Sequence, residues 1–430
     1  MKKLFFLTSF AVILLALTAC AYDGRTTPQE ADLGETIHFY GVEKTTQPVE
    51  LLIWLDNEEW AMAMIRAFVN KYPNVTVLFE QMGNVEARAH MQLDGPSGHG
   101  ADIFAFPHDQ VSWAISDGMI EPVPMELQAK WQSELVPAAV ETVTHNGRMH
   151  AVPFQVENLA LFYNRDLWGP APPRTFEEIF EFARSHNNPA TNDWTMVWNM
   201  DPYHVFPWFS IAGWQLFGPN MNDYTLVGFE SPELTRGIET FLTMRGLFDL
   251  PIEDINFNTG EERFRLGEIP LTITGPWAIN DLKENGVNFG VTQIPTIGGV
   301  QPISFSGNIN AGVSSFASPT NRAWAYAFLD FMVSVEGAVI LHRYMNQMTS
   351  RLDREQIPGL RDDPHLLGLA EQTPFTVPMP TISQINQVWG PWGDIINFTW
   401  NNELTVRQAQ ERAMESYRML LNIAGHDNTF

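Results

Sequence analysis

Two α/β lobes facing each other across a cleft are what this sequence predicts, on three observations. Its 430 residues are too many for one compact core and indicate two or three domains. Dense apolar runs alternate with segments of helical period, the signature of strands followed by crossover helices. That alternation is interrupted by a pair of extended segments at 150–167 and then starts again, so the chain builds a second unit.

The first unit opens with "ELLIWL" at 50–55, a run dense enough for a buried strand. "EEWAMAMIRAFVNKYP" follows, with Ala61, Ile65, Phe68 and Tyr72 in helical register and Pro73 as terminator. "VTVLFE" at 75–80 and "ADIFAFP" at 101–107 read as strands. "HDQVSWAISDGM" reads as a helix closed by Gly118. In the second unit "TFEEIFEFARSH" begins with Thr175 and Glu178 at capping-box spacing and puts Ile179, Phe182, Ala183 and His186 on one face. Ser231-Pro232 and Ser318-Pro319 each supply an N-cap followed by a first-turn proline. The last helix, about 404–423, holds Val406, Ala409, Ala413, Tyr417 and Leu420 in register. A cleft between such lobes is the usual place for a small ligand.

Charge narrows the partners. Fifty acidic residues against 25 basic ones give a net charge of −25, which disfavours nucleic acid and anionic membrane surfaces. No helix carries His-x-x-x-His and there is no second cysteine, so neither a metal site nor any cofactor is expected. Lys2-Lys3, an apolar run from residue 4 to 16 and "LTAC" at 17–20 read as an export signal, too short for a membrane span. The only cysteine, Cys20, ends that run, and "LTAC" looks like a lipobox whose cysteine carries lipid after cleavage. Residues 21–48 have no apolar period and read as a flexible tether, spanning on the order of 30 Å.

"LTITGPWAIN" at 271–280 poses the question of function. Its alternating apolar and polar residues read as a strand, and Gly275-Pro276 turn the chain just before Trp277. A tryptophan on a rigid turn can stand at the rim of a cleft.

From residue 50 to the end the chain resembles the maltose/maltodextrin-binding proteins, the extracellular solute-binding subunits of ABC importers. The blocks that carry the resemblance are collinear: Ala101-Asp102-Ile103 with His108-Asp109, "NGRMHAVPFQVENLALFYNRDLWGPAPPRTFEEI" at 146–179, "NMDPYHVFPWFSIAGW" at 199–214, "GEIPLTITGPWAINDL" with "VNFGVTQIPTIGG", "NAGVSSFASP" at 310–319 and "PMPTISQINQVW" at 378–389. The resemblance implies a two-lobed type II periplasmic-binding fold, each lobe a mostly parallel sheet flanked by helices. Residues 49–154 plus 311–361 would form the N-terminal lobe and 156–310 plus 362–430 the second, after a signal peptide at 1–19 and a lipidated Cys20 with its tether to residue 48. The hinge would pass near Gln155 and Asn310. It implies a monomeric binder, not an enzyme, that takes malto-oligosaccharide, linear or cyclic, and hands it to permease subunits at the outer face of the cytoplasmic membrane.

The resemblance also implies site residues. Trp277 falls where the family stacks an indole on a glucose ring, whose C–H face suits an aromatic while its hydroxyl rim suits carboxylates and amides. Tyr203 and Trp389 match further stacking positions, and Phe106 takes the place of another. Asp109 and Glu157 match acidic hydroxyl acceptors, and Asp201 stands where the family has a glutamate. Asp56 and Glu58 follow the first strand, where short polar binders occur. Three departures each remove a positive charge: Glu59 stands for a lysine, Gln110 and Gly393 for arginines. Trp194, Trp198, Trp208, Trp214 and Trp392 belong to no usable motif and are expected mostly in cores or on lobe surfaces. Two other readings remain open from the residues themselves. Paired acids with aromatics also describe a glycoside hydrolase, and an acidic aromatic cleft also suits another oligosaccharide or a polyamine.

Overall fold

The computed structural model describes residues 36–39, 42–255, 259–357 and 359–426. The export signal and Cys20 lie outside the described residues. Part of the expected tether is not coil: Thr36–Phe39 and Val42–Thr45 pair as antiparallel strands. Thr, Ile, Phe and Val are strong strand formers, and the absence of a helical period hid them.

Ten strands of the two main sheets are numbered along the chain: β1 Val49–Leu55, β2 Val75–Gln81, β3 Ile103–Pro107, β4 Val152–Asn158, β5 Ala160–Asn164, β6 Leu271–Thr274, β7 Phe289–Thr292, β8 Ser304–Val313, β9 Met348–Thr349 and β10 Thr376–Pro378. The large sheet runs β9-β4-β8-β3-β1-β2, with β10 alongside the start of β8. In it β1 is parallel to β2 and β3, and β8 is antiparallel to β3 and β4. The small sheet, β6-β5-β7, is antiparallel throughout, against the expectation of a mostly parallel second sheet. The reason is local. β6, the helix Ile279–Glu284 and β7 form a strand–helix–strand unit with parallel strands, and β5, arriving from the other lobe in the opposite sense, is inserted between them.

Two apolar cores result. One gathers Leu51, Ile53, Trp60, Phe68, Phe104, Trp131, Trp324 and Phe328. The other gathers Leu161, Phe162, Trp198, Trp208, Phe241, Leu271, Trp392 and Tyr417. The tryptophans without a motif (194, 198, 208, 214 and 392) are all buried in this second core. Two neighbouring strands pass between the cores. Val152 and Phe154 of β4 lie in the first, whereas Leu159 just beyond it lies in the second. Ile309 and Ala311 of β8 lie in the first, and Phe305 in the second. β4 and β8 pair at Ser306–Asn158 and Asn308–Val156, and their register shifts between Ile309 and Asn310. A bulge at the crossing bends and twists the pair where the lobes must part. Ala338, Met348, Ile357 and Leu360 pack with the second core although they come from 311–361.

The helices follow the predicted caps. Ser231 and Ser318 accept from Leu234 N and Asn321 N. Thr175 accepts from Glu178 N, but the Glu178 carboxylate turns back to Arg174 N, so the box is half made.

Candidate ligand cleft between the lobes

The floor of the cleft is the crossing strands. Glu157 of β4 pairs with Gly307 of β8. A Cβ at Gly307 would stand 3.2 Å from Glu157 Oε1 and 3.6 Å from His108 Cε1, so the missing side chain leaves room for both. His108 is a buried seam between elements. The Asn308 N–H donates to Nδ1 at 3.2 Å, and Nε2 faces the Met379 carbonyl at 3.2 Å. One proton on Nε2 satisfies both bonds, and burial pushes the imidazole down to about 4, keeping it neutral.

Three carboxyls crowd this floor. Burial pushes Glu157 up to about 7, and the charges of Asp56 and Asp109 add to it. Burial likewise lifts Asp56 to about 6, against hydrogen bonds that include Asn84 Nδ2 at 2.7 Å. Burial lifts Asp109 to about 6, although the nearby Trp389 side chain and the Arg88 charge pull it down. Asp109 lies in the turn of helix His108–Gln110 that follows β3, and Trp389 opens the helix Trp389–Trp400, so the two approach each other from different elements. Ser112 Oγ donates to the Thr381 carbonyl nearby.

The second lobe supplies the aromatic wall. Trp277 follows β6 on the Gly-Pro turn and folds back over Gly275, where a Cβ would meet its Cζ3 at 2.1 Å. The glycine is there for the indole, not for a special φ. The Trp277 Nε1–H donates to Glu261 Oε1 at 2.8 Å, and Thr274 Oγ1 donates to the same oxygen. The ring is therefore clamped on one edge and one face. Tyr203 stands tilted to it at 6.5 Å and His204 edge-on at 6.1 Å. The Tyr203 ring is backed by Phe305 at 6.1 Å. Its hydroxyl has no hydrogen-bond partner, and burial, then the charges of Glu157, Asp201 and Asp109, push it well above the usual range. Asp201 caps the helix Pro202–Phe209, accepting from His204 N at 3.0 Å while its other oxygen meets His204 Nδ1 at 2.7 Å. Burial opposes both charges, yet each partner stabilises the other: Asp201 is held low and His204 high. Trp389 stacks on the buried Trp392 at 5.9 Å and 14°.

The family of bacterial extracellular solute-binding proteins matches this chain over residues 63–368. The protein belongs to that family. A maltotriose-binding protein of Pyrococcus abyssi (strain GE5 / Orsay) is 25% identical over 360 residues, covering 80% of this chain and 73% of that one. A galactooligosaccharide-binding protein of Bacillus subtilis (strain 168) is 24% identical over 429 residues, 94% of each chain. Among solved structures, the Thermus thermophilus maltotriose binding protein bound with maltotriose aligns with a TM-score of 0.77 at 24% identity, covering 86% of this chain and 100% of that one. That likeness fixes the two-lobed fold.

In this solute-binding protein the expected site residues divide. Asp56, Asp109, Glu157, Asp201, Tyr203 and Trp277 sense one another electrostatically or in ring contact, and Trp389 joins through Asp109. Phe106 is a correction. It is fully buried in the first core, 5.0 Å from Phe104 and against the spot where Gly312 has no side chain, so it is no platform for a ligand. The strand β3 is buried on both faces, and nothing in its apolar run distinguishes the core face from the cleft face. Glu58 and Glu59 are exposed in the first turn of the helix Glu58–Lys71. Gln110 donates to the Val85 carbonyl at 3.0 Å, and its side-chain oxygen is buried without a partner. Glu261, His204 and Arg88 were missed by sequence reasoning. Glu261 lies 16 positions before Trp277 in an acidic helix, and only the fold brings it to the indole. Arg88 sits on the helix Asn84–Asp94 and reaches Asp109 from an element with no motif.

Proposed function

We propose that this protein captures an oligosaccharide between its lobes, closes on it and delivers it to the permease of an ABC importer, while lipid on Cys20 holds it at the membrane. The clamped Trp277 in ring contact with Tyr203, which itself senses the charges of Glu157 and Asp109, is the observation that carries the reading. An indole suits the C–H face of a sugar, and carboxyls near neutrality can donate to or accept from its hydroxyls. Relatives named for maltotriose and galactooligosaccharide binding support the same ligand class. The lobes are those of residues 49–154 with 311–361 and 156–310 with 362–430, and the ligand does no chemistry.

A polyamine fits less well. The relatives are named for oligosaccharides, and Trp277 with Tyr203 offers ring faces that suit a sugar better than a linear ammonium chain. Calorimetry with maltose, maltotriose, maltohexaose, a cyclodextrin, galacto-oligosaccharides and spermidine tests the reading. Binding of a tri- or longer saccharide, and no new reducing ends on incubation, is the expected result. Spermidine binding without sugar binding refutes it.

A further inference from the structure

Behind the Trp277 platform, side chains tie the two cores together. The helix Ile279–Glu284 begins two positions after Trp277. Ile279 and Leu282 are buried in the second core, so Asn280 and Lys283, three positions apart, share a different face. The helix Val335–Met345 brings the partner groups. Its Leu341 and Met345 are buried in the first core and Tyr344 packs against that core, while Ala338 touches the second. It ends at Asn346, whose φ of 49° is the left-handed cap that asparagine or glycine adopts.

Asn280 Nδ2 donates to the Tyr344 carbonyl, and Asn346 Nδ2 donates to Asn280 Oδ1. Lys283 Nζ donates to Asn346 Oδ1 at 2.6 Å and reaches Asp363 Oδ2 at 3.4 Å. Each amide therefore donates through its nitrogen and accepts through its oxygen, which an ionised aspartate cannot do. Both asparagines are half-buried. The cores also meet where Ser112 donates to the Thr381 carbonyl, so the structure shows the lobes together. Bonds between helices of different lobes last only while the lobes stay in that arrangement.

We propose that Asn280, Lys283 and Asn346 form a clasp that is made when the lobes shut on a saccharide, holding the Trp277 turn against the first lobe and slowing release. The proposal rests on the oligosaccharide reading and goes beyond it by naming side chains that keep the cleft shut. A contact made only in the closed state favours that state by its own free energy, and the ligand leaves after it breaks. Its loss therefore shows in the dissociation rate, not in the association rate.

The test is stopped-flow binding of maltotriose and of galactotriose to the processed protein, held in a detergent without a sugar headgroup. Asn280→Ala removes one amide from a helix that alanine suits. Asn346→Gly removes the other and keeps the left-handed cap. Each variant is expected to speed dissociation about fivefold, the scale of one lost net hydrogen bond, and to leave association within about twofold. The double variant is expected to lose less than the product of the two single effects, because both break one clasp. Ligand-free melting is expected to be unchanged. Multiplicative losses, unchanged dissociation, tighter binding, or a fall in ligand-free melting as large as that of the complex each overturn the clasp and leave the oligosaccharide reading standing. A wild type that binds neither saccharide overturns the reading of the cleft for these sugars, and this inference with it.

Discussion

Glu157→Gln keeps the shape of the cleft floor and removes its most strongly raised carboxyl. In the folded chain that group titrates at about 7 against an ordinary 4.5, chiefly through burial. The folded state therefore binds more protons than the unfolded chain between those values, and stability rises as pH falls. Each unit of pKa is worth about 1.4 kcal/mol, so at pH 8 the ionised side chain costs the fold on the order of 3 kcal/mol. At pH 5.5 the cost is about half that, and it vanishes below the ordinary value, where both states are protonated. Urea unfolding of the ligand-free protein at pH 8 and 5.5 measures the effect. Wild type is expected to gain about 2 kcal/mol more than Glu157→Gln on this acidification. Burial opposes the charge on His204, but Asp201 and in part Glu157 hold it above its ordinary value, so it favours the acid side in both proteins and less so in Glu157→Gln, which adds to the difference in the same direction. Ligand hydroxyls that donate to Glu157 favour its charged form, so sugar binding near pH 7 releases protons, read from the buffer dependence of the binding enthalpy. Identical pH slopes in the two proteins refute the reasoning.

Trp277→Ala is expected to weaken sugar binding by about 1–3 kcal/mol with little change in melting; Gly275→Ala, whose Cβ collides with the indole, is expected to reproduce that loss while Trp277 remains in place. Phe106→Ala is expected to cost about 3–5 kcal/mol of folding stability, measured by denaturant unfolding, and to leave sugar affinity at a permissive temperature within about twofold; a selective loss of affinity restores Phe106 as a platform. The processed protein is expected to partition into detergent, and Cys20→Ser to abolish that partitioning; aqueous behaviour of both forms removes the lipid anchor.

Much of the fold was legible because its signals are local. The apolar run of β1, the register of the helix Glu58–Lys71 and the Ser-Pro starts at Ser231 and Ser318 depend only on near neighbours in the chain. The final helix shows the limit of local reading. It starts at Val406 rather than near residue 404, because Thr405 and Gln408 form a reciprocal capping box. Strand sense and strand facing were not legible. β5 is antiparallel because of where it enters the small sheet, and Phe106 faces the core because of what packs on β3.

The sequence by itself determined that two α/β units form, that the protein is addressed out of the cell, and that an indole stands on the turn after β6. Those properties follow from hydrophobic period, turn residues and an apolar leader, each read within a few positions. Only the tertiary structure decided which side chains share the cleft. Glu261 reaches Trp277 across 16 positions, Asp109 and Trp389 come near each other from distant parts of the chain, and Arg88 places a positive charge near Asp109. Electrostatics and hydrogen bonding act through space over a few ångströms, so their partners are set by how β4 and β8 bring the lobes together, and no local pattern records them.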